Sequence, residues 1–139
     1  MRKIKRIFAA LLCLVMALTA MPIFASAKGE TVIEVAKCTI TPPQPGENPD
    51  MNPVSAEPDK YSVSLEHWYL IDDPYPRVEA DDTFESARTY AIRVKFTPND
   101  GYVFDSSAVF RINEGRTWLV GTNKNWRIFE GRFSVSRQD

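Results

Sequence analysis

Tyr90, Ile92, Val94 and Phe96 are apolar at every second position, with Ala91, Arg93 and Lys95 between them. In an extended backbone successive side chains point to opposite faces, so four large groups face one way and two cations the other. Wound as a helix, the same residues would scatter around the circumference, and the segment is predicted as a half-buried strand. The period recurs at Tyr61, Val63 and Leu65, at Phe110 and Ile112 around Arg111, at Trp118 and Val120, and at Phe133 and Val135. Thr31 to Thr41 is apolar too, but its phase changes between Ile33/Val35 and Cys38/Ile40. That change predicts a bulge or two short strands. No stretch carries a convincing helical period.

Turn residues punctuate these segments. Asn113-Glu114-Gly115 separates the Phe110 strand from the Trp118 strand, and Asn123-Lys124-Asn125 separates the latter from Trp126-Arg127-Ile128-Phe129. Asn99-Asp100-Gly101 follows the strand ending at Phe96 and precedes a short strand at Tyr102-Val103-Phe104. Asn and Asp tolerate left-handed backbone and Gly adopts it at no steric cost, so the trio is predicted as a hairpin connection. It lacks the regularly spaced oxygen ligands of a calcium loop. Residues 42–58 hold six of the ten prolines and are predicted as a surface crossing or an edge, because proline has no N–H for a sheet ladder. Seven or so short strands with long crossings predict an all-β, antiparallel two-layer sandwich spanning residues 28–139 as one domain.

Residues 1–27 read differently. Met1 to Arg6 is basic, Ile7 to Ala20 is apolar, and Ala25-Ser26-Ala27 supplies the small residues that a signal peptidase inspects. This order predicts a secretory signal cut before Lys28, hence a secreted domain with no membrane association after cleavage. The apolar run is short against the roughly 20 residues of a membrane span, and Pro22 interrupts its end. Without the signal, 13 basic residues face 18 acidic ones, a balance that disfavours nucleic acid as a partner. Ten acids but only Lys60 and Arg77 lie in residues 47–82, while residues 85–139 carry nine basic and six acidic residues. Cys38 is then the sole cysteine, so no internal disulfide forms, and its apolar flanks predict a buried, unreactive thiol.

Chemistry is sparse. His67 is the single histidine, in Glu66-His67-Trp68-Tyr69, and no Gly-x-Ser-x-Gly elbow accompanies it. Zinc needs three or four Cys or His ligands, and one of each does not suffice. A glycosidase carboxylate pair needs a cleft that a sandwich of this size rarely offers. Asp72-Asp73 and Asp81-Asp82 could hold calcium in loops, but solvated acids are the simpler reading. The expectation is therefore no catalytic residue, no metal and no cofactor.

The succession Thr41-Pro42-Pro43 with Gly46 and Pro49, Tyr61-Ser62-Val63, Trp68, Phe84, Tyr90-Ala91-Ile92-Arg93-Val94 and Gly101-Tyr102-Val103-Phe104 resembles a bacterial immunoglobulin-like repeat. Such repeats occur in exported and cell-surface proteins of Gram-positive bacteria, and the likeness covers roughly residues 38–135. The resemblance implies an immunoglobulin-like sandwich, Trp68 pointing inward, and a spacer, adhesion or binding role without a shared catalytic set. If Trp68 is inside, its neighbour Tyr69 is outside, near Tyr75 and the acidic loop at Asp72 and Asp73. These four residues form the first predicted contact surface, and Asn123, Asn125 and Trp126 form a second. The expected function is non-catalytic contact with a protein or cell-surface partner. Stacking of exposed aromatics on a glycan is the alternative, and a small secreted hydrolase built around His67 is the distant one.

Overall fold

A computed structural model describes residues 29–137. The predicted signal segment, 1–27, lies outside the described residues. Eight strands follow one another among them, with no helix: β1 (Thr31–Thr39), β2 (Val54–Ser55), β3 (Tyr61–Leu70), β4 (Arg77–Val78), β5 (Thr89–Pro98), β6 (Tyr102–Ile112), β7 (Trp118–Thr122) and β8 (Arg127–Ser134). They form a three-stranded sheet in the order β2-β1-β6 and a five-stranded sheet in the order β4-β3-β5-β8-β7.

The alternating segment occupies the middle of the larger sheet. β5 is antiparallel to β3 on one side and to β8 on the other. Its Tyr90, Ile92, Val94 and Phe96 are buried, while Arg93 and Lys95 face outward and are partly exposed. The inward side chains of both sheets meet in a layer of rings. Phe110 of β6 stacks on Phe129 of β8 with centroids 4.0 Å apart and meets Phe96 of β5 edge-on at 5.1 Å. Tyr61 of β3 adds its ring at 6.3 Å from Phe104 of β6. Its hydroxyl donates to the carbonyl of Lys37 in β1 and accepts the Lys37 N–H, a second tie between the sheets. A further ring cluster fills the other end of the core, where Trp68 contacts Phe84 at 5.3 Å and Phe133 at 5.9 Å. Cys38 is buried in this core, and burial pushes its thiol up to about 12.

The pairing of β3 with β5 shifts register between Leu65 and His67. Tyr61 faces inward ahead of the shift and Trp68 after it, both fully buried, although seven positions apart they would oppose each other on a regular strand. The bulge at Glu66 therefore turns His67 and Tyr69 outward.

Several connections differ from the sequence reading. Eight strands form where about seven are expected, and β2 and β4 among them are only two-residue ladders at sheet edges. Tyr102–Phe104 and Phe110–Ile112 are the two ends of a single 11-residue strand. Asn99-Asp100-Gly101 is a tight turn, with Tyr102 N–H donating to Asn99 O at 3.0 Å and Gly101 at φ 86°. It joins two sheets and is not a hairpin, since β5 and β6 never pair. β1 is one strand whose buried positions change phase between Ile33 and Ala36. The crossing over residues 42–58 is anchored: Gly46 and Glu47 bond the backbone of Phe84, and Asp50 O accepts the Trp68 indole N–H at 2.8 Å.

Phe110→Ala removes the ring that touches Phe96, Phe104 and Phe129. The expected loss is about 3–5 kcal/mol in urea unfolding with an unchanged slope. Val109→Ala, at an exposed neighbouring position, is expected to change stability by no more than about 0.5 kcal/mol.

Candidate functional site

The outer face of the five-stranded sheet is built in cross-strand rows. One row runs from Arg77 in β4 through Tyr69 in β3 and Ala91 in β5 to Arg132 in β8. The next runs from His67 in β3 through Arg93 in β5 and Glu130 in β8 to Trp118 in β7. Paired residues share a face, so the register alone collects three arginines, a histidine, a glutamate and two large aromatics on one surface. Ala91 is fully buried despite facing outward, and its single methyl leaves room for the Tyr69 side chain to reach Glu130.

Glu130 is the hub of this face. It is 4 % exposed and accepts from the Tyr69 hydroxyl, from Arg93 Nε at 3.2 Å and from Arg132 Nε at 3.0 Å. Burial alone would raise its carboxyl; the three donors outweigh burial and hold it below the usual carboxylate value. Tyr69 moves the opposite way, its phenol raised by burial and by the bond to Glu130. Arg93 lies over the Tyr69 ring at 5.2 Å and Arg132 over the Trp118 ring at 5.2 Å. Along the same face Lys95 pairs with Glu66 at 3.2 Å and covers the Trp126 ring at 5.2 Å.

Beside the hub lies an open groove of about 360 Å³ lined by His67, Tyr69, Tyr75, Arg77 and Arg93. Tyr75 is 57 % exposed and takes φ 58°, its N–H turned back onto Asp72 O. His67 is lowered by burial and by the neighbouring Arg77 and Arg93, so it is neutral near pH 7. The positive charge of the groove therefore comes from the two arginines. Among the described residues, Arg77 has no side-chain hydrogen bond, while Arg93 gives Nε to Glu130 and is also engaged by the Tyr69 hydroxyl. That leaves an array of guanidinium donors, the geometry suited to carboxylate or other oxyanions.

Tyr69 and Tyr75 thus lie on one surface, but its walls are basic. Asp72 and Asp73 do not line the groove, and Asp72 instead pairs with Arg88 at 2.8 Å. Asn123, Asn125 and Trp126 share a smaller depression of about 130 Å³ at the β7–β8 hairpin. There Asn123 Oδ1 accepts the N–H groups of Asn125 and Trp126 at 2.7 and 2.9 Å, so that side chain serves the turn. Arg77, Arg93, Arg132 and Glu130 were not among the predicted site residues. The signal for Arg93 was present, as a charge flanked by the inward-facing Ile92 and Val94 of the central strand.

Comparison with models of known protein families, with curated proteins and with solved structures gives no match to this chain.

Because the folded state holds the Glu130 carboxyl below its unfolded value, its contribution to stability is full above the ordinary glutamate range. It is lost as pH falls from about 4.3 through the folded-state value. Glu130→Gln should therefore lower the melting temperature at pH 7, with the gap to wild type closing on acidification below pH ~4. A gap that stays constant from neutral to acid would contradict the charged-hub assignment.

Proposed function

We propose that this chain is a secreted, non-catalytic binding or adhesion-type module of immunoglobulin-like architecture that contacts a protein or cell-surface partner. The observation that carries this reading is the groove in which Tyr69 and Tyr75 meet Arg77 and Arg93 on the outside of a rigid sheet. Tyrosine and arginine are the side chains that give contact surfaces most of their energy, because each covers a large area and makes directed hydrogen bonds. Glu130 supports recognition over catalysis. A carboxylate held by three donors and stabilised as the anion fixes Tyr69 and Arg93 in place, but is a poor proton acceptor. The two-layer all-β fold supports the immunoglobulin-like reading, and the basic-then-apolar order of residues 1–27 supports export.

The partner surface that complements this groove carries carboxylates. A mixed protein surface that offers such carboxylates is the favoured partner class. Stacking on a neutral sugar remains the second reading, supported by the exposure of the Tyr75 ring.

A glutamate-rich peptide titrated into the isotopically labelled domain is expected to shift Tyr69, Tyr75 and the side-chain signals of Arg77 and Arg93. The shifts should fade with added salt and should weaken at least fivefold in Arg77→Gln. Absence of any shift, or shifts produced instead by a neutral oligosaccharide and indifferent to salt, would overturn the protein-contact reading.

A further inference from the structure

The two sheets present four edges, and they are not treated alike. β2 and β4 are each two residues long and follow prolines at Pro53 and at Pro74 and Pro76. Short strands beside proline offer little to an incoming chain. Along β6 the carbonyls of Phe104 and Asp105 accept from Arg127, and that of Phe110 accepts from Thr117 Oγ1 at 2.6 Å. β7 has none of these devices. It is five residues of Trp-Leu-Val-Gly-Thr with no charge and no proline, its outer side bears no strand among the described residues, and Trp118, Leu119 and Val120 are 45, 56 and 41 % exposed.

A second bare stretch lies in the other sheet. β2 covers β1 only at Cys38 and Thr39, so Thr31 to Ala36 lack a partner on that side among the described residues. A groove of about 260 Å³ follows this stretch, lined by Val32, Ile33, Glu34, Val35, Glu57 and Lys60. Val32 and Val35 are exposed. Lys60 pairs with Glu57 at 2.7 Å, which leaves Glu34, joined by Glu30 at the strand's start, to set the sign of this edge. At β7 the sign is opposite: Arg132 over the Trp118 ring is paired with Glu130, which leaves Arg116, over the same ring, to set the sign of that edge.

One edge is therefore apolar and acidic, the other apolar and basic, and their lengths agree. We propose that β7 of one molecule adds to the open stretch of β1 in a second copy of this chain, so that copies associate head to tail. The pairing would join the larger sheet of one copy to the smaller sheet of the next, with main-chain hydrogen bonds supplying affinity and the apolar side chains and opposite charges supplying register. A contact between two different patches on each copy is heterologous, so growth does not stop at two. The register shift between Leu119 and Gly121 twists β7 locally and keeps the joint short, which makes association reversible and dependent on concentration.

Light scattering of the secreted domain should register a mass that rises beyond a dimer with concentration and falls with added salt. Leu119→Lys blocks the β7 edge and Val32→Lys blocks the β1 edge, both at exposed positions where unchanged circular dichroism checks the fold. Each variant alone is expected to be monomeric, and an equimolar mixture should form one-to-one dimers and nothing larger. Wild type that stays monomeric at every concentration would overturn the proposal and leave the edges to a different protein. Self-association of Val32→Lys alone would equally overturn it, in favour of a symmetric β7–β7 contact.

Discussion

Stacking of Phe110 on Phe129, with Phe96 meeting the same ring edge-on, is the contact on which the rest of the molecule depends. Those rings come from both sheets, and among the described residues Cys38 is the sole cysteine, so no covalent cross-link shares the task. Aromatic pairs of this geometry contribute about 0.5–1.5 kcal/mol each beyond the area they bury. A typical exposed ion pair contributes about 0–1 kcal/mol. Pairs such as Lys37–Glu114, both well exposed, are therefore minor beside the ring layer. The Tyr61 hydroxyl, bonded twice to Lys37 in the facing sheet, adds direction to a core that is otherwise held by shape.

The ring layer also determines what the outside can be. Strict alternation along β5 commits Ile92, Val94 and Phe96 to the core and leaves Arg93 and Lys95 on the opposite face. Cross-strand register then sets Glu130 beside Arg93 and Arg132 beside Ala91. The resulting surface is charged but already organised, with three cation–aromatic pairs and one shared carboxylate. Side chains fixed in this way would lose less freedom on meeting a partner than side chains ordered only on contact.

The fold was legible where a single physical rule dominates. Alternation located β3, β5 and the ends of β6, and proline content marked the crossing before Tyr61. Asn and Gly marked the turns. Pairing partners were not legible, because Asn99-Asp100-Gly101 has the composition of a hairpin whether the chain returns along the same sheet or steps across to the other. Composition also could not separate β6 into one strand or two, since Asp105, Ser106 and Ser107 look like a break yet lie on an exposed stretch where polar residues suit a strand. The candidate site was half legible. The outward direction of Tyr69 follows from the neighbour rule at Trp68, whereas the basic walls of the candidate groove depend on the bulge at Glu66 and on β4 laying Arg77 opposite Tyr69. Both are tertiary events with no local signature.

If the ring layer truly unites the two sheets, they must open together. Native-state hydrogen exchange reads this directly, by comparing the amides of Ile92, Val94 and Phe96 in β5 with those of β6. Both sets are expected to exchange only through global unfolding, with one shared free energy and one shared denaturant dependence. Exchange of the β6 amides through a separate opening of much lower free energy, while β5 stays protected, would contradict it.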